Sequence, residues 1–197
     1  GAATADQSFR LMDPVSQRML AVRADMTIQI ARIATTRFPD APRPLRLSYA
    51  GQVLRVKGSI LRPERQFGQV GAELIGSGLP AADAEIILMA HQALTNLGVG
   101  DISIDLGLPT LVPAICEHLG ITNLIEVQQL RTALNQKDST AIAKLTEPAA
   151  QVFGPLLHSV GPATDALGVI REISLPPPAI REFEHLESVV SILREKA

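Results

Sequence analysis

Along residues 67–74 the chain reads Phe, Gly, Gln, Val, Gly, Ala, Glu, Leu, and the two-residue period of a strand divides this stretch into two faces. Val70, Ala72 and Leu74 share one face and are expected to bury it against the core, while Gln69, Gly71 and Glu73 share the other. The same period puts Arg55 and Lys57 side by side on the preceding strand. Upstream, SFRLMDP and RMLAVRAD predict two strands joined by a tight turn at Asp13-Pro14, where proline presets the turn dihedral. From Thr27 the apolar positions change to helical spacing, with Ile28, Ala31, Ile33 and Ala34, so that Asp25 or Thr27 is the expected N-cap and Arg37 the expected end. PLRLSYAG, VLRVK and ERQFGQVGAELIG predict three central strands, broken at Gly51 and by the loop 58–62.

Beyond Gly76, LPAADAEIILMAHQALTNLG sets Ile86, Ile87, Ala90, Leu94 and Leu97 on one helical face, closed by Gly98. DISIDLG alternates polar and apolar residues as a half-buried strand does, and PTLVPAICEHLG predicts a short helix ending at glycine. After Gly120 strand signals nearly vanish, and ITNLIEVQQLRTALNQKD, STAIAKL, EPAAQVFGPLLHSV and PAIREFEHLESVVSILREK read as helices. LPPPAIRE marks a stiff linker. The prediction is an α+β chain, with an antiparallel sheet core over residues 1–122 and a mostly helical part over 123–197 packed on the same core.

Composition narrows the function classes. The 197 residues are 46% hydrophobic, enough to bury a sizeable core. A net charge of -2 exerts no global pull on nucleic acid or acidic membranes, and 3% aromatic residues with no tryptophan offer no base-stacking platform. The single cysteine, Cys116, cannot form an internal disulfide, which favours a reducing, cytoplasmic setting. No apolar run reaches the roughly 18 residues of a membrane span.

Local chemistry is concentrated near the Gln69 face. Gly71 leaves a gap between an amide and a carboxylate, where a small ligand could lie flat on the backbone. Between Arg43 and Arg65 stand six basic residues, Arg43, Arg46, Arg55, Lys57, Arg62 and Arg65, against one acidic residue, Glu64. Such a balance attracts a carboxylate or phosphate. Asp25 and Glu73 suit an amino group and Arg55 a carboxylate, which is the polarity of a free amino acid. The plainer reading is an exposed polar sheet face with arginines on a solvated loop. His91, His118, His158 and His185 have no ligand partner at metal spacing, and His91 is expected to pack between helices. Cys116 and His118 do not form a nucleophile pair, and the glycines of GQVGAELIGSG lack the order of a dinucleotide fold. We therefore expect no catalytic residue, no metal and no cofactor.

The segments RMLAVRADMTIQIAR and RLSYAGQVLRVKGSILRPERQFGQVGAELIG resemble the catalytic core of class II histidyl-tRNA synthetases, the second matching their motif 2. The resemblance is closer to the synthetase-like regulatory subunits of ATP phosphoribosyltransferase, a family that keeps the fold without aminoacylation, and it covers residues 8–120 best. It implies an antiparallel sheet flanked by helices, and a histidine site in which Asp25 and Thr27 hold the amino group. Arg55 would meet the carboxylate, and Gln69 and Glu73 the remainder of the amino acid. It also implies a regulatory role in the first step of histidine biosynthesis, with histidine as effector and a short-form catalytic subunit as partner. Lys57 departs from the glutamate that follows the motif 2 arginine in the synthetases, the loop GSILRPE differs from theirs, and their glycine-rich histidine segment and motif 3 arginine have no match. Motif 1 and the final core strands are also unmatched, so the chain is expected to be a truncated core. The alternatives are a truncated histidyl-tRNA synthetase that activates the amino acid, and an orphan amino-acid-binding paralogue.

Overall fold

The computed structural model describes residues 2–60 and 63–196. The chain divides into two compact units, 1–78 and 79–197. The division falls well before the boundary at 122 expected from the sequence, because the helix after Gly78 packs on the last helix of the chain.

In the first unit a 3-10 turn, Ala2–Gln7, leads to a short hairpin of β1 (Arg10–Met12) and β2 (Met19–Ala21), with Leu11 opposite Leu20. Its turn is built by Asp13, whose carboxylate accepts the N–H groups of Val15 at 3.1 Å and Ser16 at 3.2 Å together with the Ser16 hydroxyl. The Ser16 side chain foremost, then the Val15 N–H, hold the Asp13 carboxyl below the usual aspartate range. Helix α1 (Thr27–Thr36) follows and buries Ile30 and Ala34. Strands β3 (Leu45–Leu54) and β4 (Gln66–Ile75) then form one antiparallel ladder in which Leu47 faces Glu73, Tyr49 faces Gly71 and Gly51 faces Gln69.

Two expectations for this ladder are corrected. Gly51 does not separate two strands, since β3 runs through it without a break. A Cβ there would come within 3.1 Å of both the Arg23 guanidinium and the Met26 sulfur, so the glycine permits close packing rather than a turn. The expected burial also fails at Val70: it is 81% exposed and Ala72 and Leu74 are only half-buried, whereas Val53, on the side of Gln69 and Glu73, is 1% exposed. Helix α1 packs on β4, and at the ladder's odd-numbered positions Val53 is buried while Leu45, Leu47, Phe67 and Ile75 are half-buried. The polar residues are inlaid in a packed surface, which the alternation of β4 alone does not reveal.

The second unit is helical. Among the described residues it comprises α2 (Pro80–Asn96), α3 (Leu111–His118), α4 (Leu124–Asn135), α5 (Ser139–Ile142), α6 (Glu147–Leu156), α7 (Ala163–Arg171) and α8 (Pro177–Lys196). Ile115, Cys116, Phe153, Leu167 and Phe183 are part of one continuous apolar core. Asn123 caps α4 by accepting the Ile125 N–H at 2.9 Å, and Asp138 caps α5 through the Ala141 N–H at 3.0 Å. Gly98 and Gly120 take positive φ just past α2 and α3, as the chain must to leave a helix there. DISIDLG is not a strand: no ladder partner pairs with it among the described residues. On α2 only the first half of the predicted face is covered, and Leu97 is 80% exposed. The prolines of LPPPAIRE are not all linker, because Pro177 and Pro178 open α8, where the missing N–H groups would have no helical partner in any case. No described helix is long and apolar enough to cross a membrane.

Candidate functional site

The start of α1 and the middle of β4 come together because two backbone N–H groups at the helix entrance need acceptors. The Met26 N–H is taken by Gln69 Oε1 at 2.9 Å and the Thr27 N–H by Asp25 Oδ1 at 2.8 Å. Gln69 in turn donates through Nε2 to Asp25 Oδ2 at 3.1 Å, so the amide bridges helix and aspartate. Arg55, one residue past β3, donates from Nε to the Ala24 carbonyl at 3.1 Å and lies over the Phe67 ring at 5.0 Å. Its Nη2 stands 3.7 Å from Asp25 Oδ2, with the Arg55 and Asp25 side chains 34% and 24% exposed. Burial and the hydrogen bonds from Ala24 to Gln69 thus fix one acidic and one basic group side by side.

The second half of the site turns on a residue that the sequence reading passed over. Tyr49 donates its hydroxyl to Glu73 Oε1 at 3.3 Å and lies 3.0 Å from the Thr27 hydroxyl. It therefore joins Thr27 to Glu73, and the two clusters meet at residues 25–27. All five predicted residues, Asp25, Thr27, Arg55, Gln69 and Glu73, are engaged in this one network. The gap expected over Gly71 is filled: a Cβ on Gly71 would come within 2.9 Å of Tyr49 Cε2 and overlap its hydroxyl outright. The chain's one tyrosine takes the space that the missing side chain leaves in the directly opposite position.

The basic cluster resolves into separate tasks. Arg43 donates to the Ala34 and Phe38 carbonyls at the end of α1, and Arg65 donates to the Val56 carbonyl while covering the Phe9 ring. Arg46 is on the exposed side of β3, and Lys57 is exposed in a bend beyond the strand, so Arg55 and Lys57 do not share a strand face. Arg62 lies outside the described residues. Of this group, Arg55 joins the network through Asp25.

Elsewhere, a cavity of about 630 Å³ in the second unit is lined by Leu106, Leu111, Leu167 and Val190 among others, and none of the five predicted residues contributes to it. Asp105 is the one charged residue among the described residues of its lining, so the cavity lacks the paired acidic and basic groups of the Asp25 network. His91 is exposed on α2 rather than packed between helices. His185 has a structural task, its Nε2 lying 2.6 Å from Asp83 Oδ2 and tying α8 to α2. Among the described residues no group of acidic, histidine or cysteine side chains could hold a metal ion.

Known proteins match this chain over its whole length. The family profile described as histidyl-tRNA synthetase covers residues 1–197. An ATP phosphoribosyltransferase regulatory subunit of Rhodospirillum centenum is 50% identical over 100% of this chain and 51% of its own. One of Paramagnetospirillum magneticum is 53% identical over 98% of this chain and 50% of its own. The chain thus spans about half the length of the curated relatives it matches. A crystal structure from Bacillus halodurans, described as an ATP phosphoribosyltransferase regulatory subunit/histidyl-tRNA synthetase, superposes with a TM-score of 0.79 at 26% identity, covering 96% of this chain and 50% of that one. The α+β fold is that of the class II synthetases, and the chain belongs to the histidyl-tRNA synthetase family.

Proposed function

We propose that the chain serves in the non-catalytic regulatory subunit of ATP phosphoribosyltransferase, acting with a short-form catalytic subunit in the first step of histidine biosynthesis. The observation that carries this reading is the 50–53% identity to proteins of that name across nearly all of the chain. The Asp25 network is the histidine site in this reading. Asp25 and Thr27 meet the ammonium group, Arg55 the carboxylate, and Gln69 and Glu73 the remainder of the molecule. Regulation is linkage: histidine that binds one arrangement of regulatory and catalytic subunits more tightly than another shifts the population toward the inhibited arrangement.

The test is affinity capture of a short-form catalytic subunit by the tagged chain, followed by transferase assays with and without histidine. Stable capture and histidine-sensitive activity are expected; absence of a complex at micromolar concentrations of both proteins would refute the role. The family profile favours a second reading, histidyl-adenylate formation by a synthetase fragment. Histidine-dependent pyrophosphate exchange would establish it and displace the first. Lys57 weighs against it, because ATP activation needs charges preorganised around the polyphosphate and its metal.

A further inference from the structure

We infer that Tyr49 is the positioning residue that sets ligand choice on this face, by orienting Glu73 and closing the space over Gly71. The inference rests on the histidine-binding reading above. Tyrosine carries one hydroxyl proton, and that proton goes to Glu73 Oε1, so the Thr27 hydroxyl must donate to Tyr49 in turn. The relay runs from Thr27 through Tyr49 to the carboxylate and engages Oε1 alone. It leaves Oε2 as the acceptor for an N–H on the ligand side chain, held in one orientation because Oε1 is tethered. The ring fixes the depth of the site as well, since it occupies the space directly over the Gly71 backbone. A ligand must then lie beside the tyrosine rather than beneath it, with its side chain presented edge-on to Glu73. The class selected is an amino acid with a planar side chain bearing an N–H donor, and one that cannot donate there is rejected because a desolvated carboxylate oxygen would be left without a partner.

The test is calorimetry on the full chain with L-histidine and its two ring-N-methylated isomers. The wild type is expected to prefer L-histidine over at least one isomer. Tyr49→Phe keeps the ring over Gly71 and removes both hydrogen bonds. Its melting temperature should be nearly that of wild type, and its histidine affinity should fall about tenfold. The rejected isomer should bind almost as it does to wild type, so the preference collapses. A purely structural tyrosine would weaken all three ligands in proportion. If Tyr49→Phe keeps the wild-type preference while still binding histidine, the role of Tyr49 is overturned and the histidine site stands. If the wild type binds none of the three, the histidine site falls and the inference with it.

Discussion

Gln69 offers the sharpest probe of why a glutamine stands on β4. In Gln69→Ala the Met26 N–H loses its acceptor and Asp25 loses a donor, while Met26 itself is 8% exposed. A buried N–H left unpaired costs about 1–3 kcal/mol, and the weaker loss at the partly exposed aspartate brings the total to on the order of 2–3 kcal/mol. Gln69→Glu separates the two contributions. It keeps an acceptor for Met26 but replaces the donor 3.1 Å from Asp25 Oδ2 with a second carboxylate oxygen. Coulomb's law at an effective dielectric of about 20 gives roughly 5 kcal/mol as an upper figure for two charges at that distance. The neighbouring Arg55 and the partial exposure of the pair screen most of it, leaving on the order of 1–2 kcal/mol. The two variants then differ in pH response. The repulsion in Gln69→Glu vanishes as acid protonates one carboxylate of the pair, so its deficit shrinks on acidification, whereas the Gln69→Ala deficit persists. Urea unfolding at neutral and mildly acid pH reads the totals, and hydrogen exchange of the Met26 amide reads the local bond. Unchanged Met26 protection in Gln69→Ala, or a Gln69→Glu deficit independent of pH, would refute the reasoning.

In the helical unit, Phe153→Ala empties a site at 0% exposure and should cost about 3–5 kcal/mol, measured by denaturant unfolding. Cys116 is 1% exposed and burial pushes its thiol above the usual cysteine range, so a thiol reagent should label the native chain only as fast as the helical unit opens, and at once in denaturant. At the β1–β2 turn the Asp13 carboxyl titrates below the usual range, so its contribution is present above the ordinary aspartate pKa and is lost as pH falls through the lowered folded value. Protection of the Val15 and Ser16 amides should therefore decline in acid in the wild type, and Asp13→Asn should remove that pH dependence.

What was legible in the sequence was whatever the backbone period dictates locally. The division of β4 into a Gln69 face and a Val70 face follows from the pleat, and the start of α1 at Thr27 follows from the change of apolar spacing. Which face is buried does not follow, because each carries apolar residues and the outcome depends on where α1 lands. The strand expected over DISIDLG failed for a related reason: alternation specifies two faces but not a neighbour, and a strand exists only where another strand completes its hydrogen bonds. Helix α7 escaped notice because ATDALGVIR is short and contains a glycine, and its stability comes from packing Leu167 and Ile170 into the core rather than from propensity. Tyr49 could have been found. Once β3 and β4 are paired as a hairpin, with Leu54 opposite Gln66, counting back five residues along β3 and forward five along β4 brings tyrosine opposite Gly71. A large residue facing an absent side chain is a packing signal that one strand read alone does not carry.

The network also bears on how tightly any ligand can bind. Asp25 already accepts from Thr27 and Gln69, Arg55 already serves the Ala24 carbonyl and stands near Asp25, and Tyr49 already satisfies one oxygen of Glu73. These bonds hold the side chains in place without a ligand, which lowers the ordering cost of binding. They also mean that an incoming ammonium or carboxylate must share acceptors and donors in use, so each new contact is an exchange rather than a pure gain. Arg55 shows the balance most clearly: its charge is partly neutralised by Asp25 at 3.7 Å, and a ligand carboxylate wins the guanidinium only if its own ammonium takes over Asp25. In the proposed site both ends of a zwitterion would therefore have to arrive together, whereas a bare carboxylate or a bare amine would strand one member of the pair. If the Asp25 network is the histidine site proposed above, the pairing of Asp25 with Arg55 should make the chain bind L-histidine more tightly than histidinamide or histamine, a ranking that calorimetry checks.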